Sequence, residues 1–292
     1  MSGWRTVIIE NRSKLDLKLN NICVRRENET KLINISEVDN LILETTSISI
    51  TAALMCELIK QKVKVIFCDE KFNPHFELIP YYGSHDCVTK IKMQFNWNDF
   101  IKENVWSLIV YEKIKNQMLL LKKFQKEEYK ILEKYLCEIE LNDETNREGH
   151  AAKVYFNALF GKSFSRKNEN SINSALNYGY QILLSQFNKE VINNGYLTQL
   201  GINHKNQYNF FNFSSDLMEP FRPIIDELVY NQNFQKFKTE EKRIVQEILE
   251  KKLKINDENH YLSECIRIYT KSILNAFEFN NYRLIRFFEY EL

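Results

Sequence analysis

Apolar side chains recur about every second residue early in this 292-residue chain and every three to four residues later on. That change of period constrains the fold most, because period 2 suits a strand with one buried face and period 3.6 suits one stripe of a helix. Thr6-Val7-Ile8-Ile9 is a short apolar run, and Leu15, Leu17 and Leu19 alternate with Asp16 and Lys18. Ile22-Cys23-Val24, residues 32–35 and Leu41-Ile42-Leu43 read as further strands. Asn tolerates positive φ, so Asn20-Asn21 is the expected hairpin turn. Residues 50–62 take a helical period, and 63–67 return as a buried strand. Further on, Trp106, Val110, Ile114, Met118 and Leu121 form an amphipathic stripe. Helix is expected over 142–160, 174–193, 216–230 and 239–254, and in the aromatic stretch 282–290. The expected class is α+β: a small β-rich domain over 1–70, sandwich-like with one helix, then a larger all-α catalytic domain over 96–292. A linker is expected over 71–95, where Pro74, Pro80 and Tyr81-Tyr82-Gly83 interrupt the pattern.

Composition removes several function classes. With 7 Gly and 4 Pro the chain has little material for long flexible loops. No two glycines are spaced for GxGxxG or for a P-loop, so no nucleotide cofactor is expected. Lys and Arg total 40 against 39 Asp and Glu, which gives no overall attraction to nucleic acid or membrane. The six cysteines are scattered without a CxxC pair, as in a reduced chain rather than a disulfide framework or zinc finger. No apolar run approaches the ~20 residues of a membrane span, and Met-Ser-Gly-Trp-Arg-Thr lacks a signal-peptide core. A cytoplasmic location without membrane contact is expected.

Three separated groups carry the chemistry. On a helix, Glu148 shares a stripe with Ala152, Tyr155 and Leu159, which turns its carboxylate toward packed protein or a cleft. A buried carboxylate must be hydrogen-bonded, paired or metal-bound. Thr145-x-x-Glu148 also matches a capping box, and that plain structural reading stands beside the first. His204 lies in a polar, turn-like stretch where a solvated imidazole is ordinary. Asp216 and Glu219 share a helical face, with Ser214 or Ser215 placed to cap the helix. Pro220 follows directly and bends the chain there, an odd position for a purely structural acid. Two carboxylates and an imidazole suit Mg²⁺ or Mn²⁺ better than structural zinc. Residues 145–215 carry a net charge of +4 and residues 216–292 a net charge of −2. The basic excess therefore surrounds the candidate ligands, as a phosphate-binding stripe would.

These motifs together resemble a known family. The opening Met-Ser-Gly-Trp-Arg-Thr-Val, Asn146-Arg-Glu-Gly-His-Ala-Ala, Asn157-Ala-Leu-Phe-Gly, Asn173-x-Ala-Leu-x-Tyr-Gly-Tyr, His204 before Asn206-Gln, and Asp216-Leu-Met-Glu-Pro-Phe-Arg-Pro resemble the CRISPR-associated integrase of spacer acquisition (CRISPR-associated protein 1), in its type II-A branch. The resemblance runs along the chain to about Thr239. It implies a catalytic metal set of Glu148, His204 and Glu219 with Asp216 close by, and DNA-contacting or supporting roles for Arg147, Arg166 and Arg222. It also implies homodimers, two of which clamp a dimer of a small ferredoxin-like adaptation protein in a heterohexamer, beside other proteins of a type II locus.

The implied reaction joins 3′-hydroxyl ends of short foreign duplexes to a CRISPR repeat by transesterification, with associated DNA endonuclease activity. The same residues would serve a metal-dependent nuclease that does not integrate. A non-catalytic DNA-binding scaffold, with the acids only capping helices, is the alternative from another class.

Overall fold

The computed structural model describes residues 3–81 and 83–290. Met1 and Ser2 of the opening motif, and Tyr82 of the expected linker, lie outside the described residues. The chain divides into two units, Met1–Gly83 and Ser84–Leu292.

The first unit follows the period-2 pattern. Its strands are β1 (Arg5–Ile9), β2 (Ser13–Lys18), β3 (Asn21–Arg25), β4 (Thr30–Asn34), β5 (Val38–Leu43) and β6 (Ile48–Ile50); helix α1 (Ala52–Lys60) precedes β7 (Lys64–Cys68) and β8 (Pro74–Glu77). One sheet has the order β1-β5-β7-β8 and the other β4-β3-β2-β6. Val7, Leu41 and Val65 from the first sheet and Leu15, Ile22 and Val24 from the second share one apolar core with Leu54 and Leu58 of α1. All six residues of β5 are buried, and its Leu41-Ile42-Leu43 half is continuously apolar rather than alternating for that reason. The β2–β3 turn sits one residue earlier than the Asn pair suggests. Leu19 and Asn20 are its two central residues, at φ of 47° and 60°, while Asn21 pairs with Lys18. The side-chain amide of Asn21 donates to the carbonyls of Lys18 and Leu19, fastening the turn from outside it.

The second unit holds α2 (Cys87–Phe95), α3 (Asp99–Lys123), α4 (Tyr129–Cys137), α5 (Arg147–Phe160), α6 (Ser171–Asn193), α7 (Asn212–Met218), α8 (Arg222–Gln232), α9 (Thr239–Gln246), β9 (Lys252–Ile255), β10 (Glu258–Tyr261) and α10 (Leu262–Glu278). Stretch 71–95 is thus not bare linker, since it contains β8, paired antiparallel with β7, and helix α2. Nor does helix run through 239–254. Leu253 and Ile255 alternate with Lys252 and Lys254, and Asn256-Asp257, both at positive φ, turn the chain into the β9–β10 hairpin. The 282–290 stretch holds one short 3₁₀ turn, Tyr282–Leu284. Beyond it Glu289 bridges to Lys254, and Phe288 is buried against Phe221 with ring centroids 4.6 Å apart. Among the described residues no helix is long and apolar enough to cross a membrane.

Candidate functional site

Helix α3 supplies one wall of the site. Trp106, Lys113 and Asn116 are buried on it. Lys113 lies seven residues after Trp106, two turns on, so both occupy one face.

Glu148 is in the first turn of α5, and the start of that helix shows why its side chain is free to leave the axis. The Asp143 carboxylate accepts from the Arg147 and Glu148 backbone N–H groups at 2.8 and 3.0 Å, and the Asn146 side chain accepts from Gly149 N–H. Other residues therefore serve the helix end, and the capping box Thr145-x-x-Glu148 does not form. The Thr145 hydroxyl is buried with no hydrogen-bond partner. Glu148 Oε1 instead stands 2.6 Å from Lys113 Nζ.

Glu219 opens a 3₁₀ turn, Glu219–Phe221, between α7 and α8. Pro220 has no N–H to continue an α-helix, so the predicted bend takes this form. The Asn116 amide donates to the Pro220 carbonyl at 3.0 Å and ties the turn to α3. Phe221 packs between Phe187 and Phe288 beneath it. Glu219 is 3% exposed, and its Oε2 lies 2.5 Å from Lys113 Nζ while Oε1 lies 2.9 Å from Arg222. Burial alone would raise the Glu219 pKa, but Arg222 and then Lys113 outweigh it and hold the carboxyl below its usual range. In the same way burial opposes the charge on Lys113, yet Glu219 and Glu148 raise its pKa.

His204 is positioned by Asp216. The Asp216 carboxylate is fully buried. It accepts from the backbone N–H groups of Ile202, Asn203 and His204 at 2.5, 3.1 and 3.1 Å, and it contacts His204 Nδ1. Neither Ser214 nor Ser215 caps α7. Both lie within the helix, and Asp216 caps the 202–204 loop instead. Gly201 permits this close approach, for a Cβ there would stand 2.5 Å from the His204 carbonyl and 2.8 Å from Asp216 Oδ2. With Nδ1–H directed at Asp216, a neutral His204 presents its lone pair on Nε2. The hydrogen bond that His204 donates to Asp216, reinforced by the charges of Asp216, Glu219 and Glu148, raises the His204 pKa against the opposing effect of burial. Trp106 meets the imidazole edge-on at 5.9 Å.

Glu148 and Glu219 thus meet at Lys113, Arg222 joins them through Glu219, and His204 lies near enough for the charges of both acids to act on it. Among the described residues, no three His, Cys, Asp or Glu side chains stand together as a ready-made metal group; the Lys113 ammonium occupies the position between Glu148 and Glu219. The two carboxylates around Lys113, with the His204 imidazole close enough for their charges to act on it, nonetheless make a donor set that fits a hard divalent ion. Arg147 and Arg166 are engaged elsewhere. Arg147 pairs with Glu138 and lies over the Tyr135 ring. Arg166 donates to Asn173 and Asn177.

A second buried network braces Arg222 from below. Asp226, one turn on, accepts from Tyr155 OH at 2.9 Å and Tyr180 OH at 2.5 Å. The Tyr180 ring lies 4.6 Å under the Arg222 guanidinium. Gly179 allows α6 to approach α8, since a Cβ there would come within 2.5 Å of Ile225. Burial pushes the Asp226 carboxyl up to about 6, from an ordinary 3.8. The folded state therefore holds a proton that the unfolded state has lost. This contribution to stability is complete below about pH 4 and disappears as pH rises through about 6, a span of about 3 kcal/mol. Asp226→Asn should abolish that part of the dependence, so wild type loses stability relative to the variant between pH 4 and 7. Parallel urea melts check it, and a difference that does not change with pH overturns the assignment.

Reasoning from sequence did not single out Lys113, Asp143 or the Asp226–Tyr155–Tyr180 network. A signal for Lys113 existed: a basic residue two turns from a tryptophan on the apolar stripe of α3.

Solved structures place the fold in a class. A casposase bound to integration product matches with TM-score 0.73 and 16% identity over 95% of this chain and 91% of that one. The Cas6-RT-Cas1–Cas2 complex matches with TM-score 0.73 and 15% identity over the whole of this chain, which spans only 36% of the chain in that complex. Identities this low speak for the fold alone. A model of the family described as CRISPR associated protein Cas1 matches residues 6–254. The CRISPR-associated endonuclease Cas1 of Neisseria meningitidis serogroup C (strain 8013) is 33% identical over 224 residues, which cover 76% of this chain and 74% of that one. The chain belongs to the Cas1 family of CRISPR-associated proteins.

Proposed function

We propose that the protein is a metal-dependent DNA integrase of CRISPR adaptation with associated endonuclease activity. The observation that supports this reading is the meeting of Glu148 and Glu219 at one cation, Lys113, with the Asp216-oriented His204 within reach of their charges, in a family whose relatives include a named endonuclease. Glu148, Glu219 and Nε2 of His204 would hold Mg²⁺ or Mn²⁺, which when bound would stabilise charge on the phosphoryl oxygens and lower the pKa of the attacking hydroxyl. Asp216 keeps His204 in the tautomer that can ligate. Arg222 offsets the Glu219 charge, and Asn116 fixes the turn that carries it. The 3′-oxygen of the incoming DNA bonds to a repeat phosphorus, the repeat 3′-oxygen leaves, and the hydroxyl proton ends on the leaving oxygen. One phosphodiester replaces another, so no nucleotide is consumed.

Foreign duplexes and the CRISPR repeat are the DNA partners. Solved Cas1–Cas2 assemblies of this fold support a Cas2-like partner. We assign to it the ferredoxin-like adaptation protein, clamped by two homodimers in a cytoplasmic heterohexamer. The homodimer contact is assigned to residues 1–70, where Leu32 on the edge strand β4 is 54% exposed. Leu32→Glu should yield monomers by light scattering; a variant that remains dimeric places the contact elsewhere.

The decisive test mixes a labelled duplex with a supercoiled repeat plasmid in Mg²⁺, in Mn²⁺ and with chelator. Joined products lost on chelation are expected. Fragments without joining support the plain nuclease, and DNA binding without either product supports the scaffold.

A further inference from the structure

We propose that Lys113 is the resident counter-ion of this site and that a divalent ion binds by taking its place between Glu148 and Glu219. The inference rests on the metal-site reading above and adds a competitor to it. Lys113 Nζ reaches Glu148 Oε1 at 2.6 Å and Glu219 Oε2 at 2.5 Å, so one ammonium links two acids 71 residues apart in sequence. The side chain is 10% exposed, and α3 is tied directly to the Glu219 turn by Asn116. Lys113 is thus delivered to this position by the same helix that anchors the acid.

Charge explains why an occupant is needed. Two carboxylates facing each other under partial or full burial repel, and each resists desolvation unless a cation lies between them. Lys113 and Arg222 balance Glu148 and Glu219, so the group is neutral without a divalent ion. Adding one while the ammonium stayed between the acids would crowd like charges at hydrogen-bonding range. The ammonium therefore moves off. Its four-carbon stem makes this feasible, because the head can swing while Cα stays fixed in the helix. Apparent metal affinity then includes the work of breaking two ion pairs, as for any site whose competent state is a minor one.

The test uses the full chain and Mn²⁺ alone, with affinity read by calorimetry or electron paramagnetic resonance and no DNA present. Lys113→Met keeps the stem and removes the charge. It should bind Mn²⁺ at least about tenfold more tightly than wild type, melt at lower temperature without metal, and recover more of its melting temperature than wild type when Mn²⁺ is added. Lys113→Arg preserves the charge and pairs two carboxylates more firmly, so it should fold and bind Mn²⁺ more weakly than wild type. Glu219→Gln serves as the control for the site itself. If Mn²⁺ binding depends on Glu219 but both Lys113 variants match wild type, Lys113 is no competitor and the proposal falls while the metal site stands. If the Glu219 variant also binds as wild type does, the metal-site reading fails and the proposal fails with it. Should Lys113→Met not fold, the Arg variant decides alone, and equal or tighter binding overturns the proposal.

Discussion

Glu219→Ala is expected to abolish strand joining while leaving duplex affinity close to that of wild type. Glu219 is negative and buried beside Lys113 and Arg222, so it cannot itself attract phosphate. Its removal deletes a proposed metal ligand and the stabilisation of charge that develops only in the transition state. Loss of one strong electrostatic contact of that kind lowers the rate by about 10²–10³, and loss of the ion lowers it further. Duplex affinity arises from Lys and Arg neutralising phosphates, which the substitution leaves in place. The alanine variant also leaves Lys113 with Glu148 alone and takes the carboxylate partner from Arg222, which is 26% exposed, so it destabilises as well as deleting a ligand. Glu219→Gln is therefore measured beside it, because the amide retains an oxygen toward Lys113 or Arg222. Both variants should bind DNA and fail to join it, at one fixed salt concentration in Mg²⁺ or Mn²⁺. Joining by the glutamine variant at near wild-type rate would remove Glu219 from the ligand set.

Asp216→Asn is expected to weaken Mn²⁺ binding and joining by about 10–100-fold, the usual effect of losing a group that orients a ligating histidine. Asp216 accepts from three backbone N–H groups and from the imidazole at once. An asparagine has one acceptor oxygen for those four donors, so His204 loses the partner that fixes its tautomer. Asp216→Ala should do more harm, leaving backbone donors of the 202–204 loop without a partner at about 1–3 kcal/mol each. Calorimetric Mn²⁺ affinity together with thermal melts distinguishes the two variants. Wild-type affinity in the asparagine variant would show that His204 needs no positioning by Asp216.

Much of the fold was legible because periodicity is local. Leu15 and Leu17 of β2, and Trp106, Val110 and Ile114 of α3, occupy the elements their spacing predicts. The errors came where a local signal had a local rival. The Leu253–Ile255 alternation follows directly on the helical period that begins at Thr239, and the turn pair Asn256-Asp257 is the signal that marks the hairpin. Thr145-x-x-Glu148 satisfied a capping rule whose work Asp143 and Asn146 do instead. Proline 220 was informative for a covalent reason, since its missing N–H forces a break in any helix that meets it, and the break falls beside Glu219.

The sequence by itself determined the order and kind of most of the elements, the carboxylates and imidazole that carry the chemistry, and family membership through the joint spacing of several motifs. Only the tertiary structure decided which charges meet. Lys113 faces Glu148 and Glu219 because α3 packs against α5 and the Glu219 turn, and Asp216 reaches back to residues 202–204 because Gly201 leaves room for it. Spacing governs neighbours within one helix or strand, over a few ångströms. A contact between residues 113 and 219 depends instead on how buried apolar faces lock against each other, and no window along the chain contains that information.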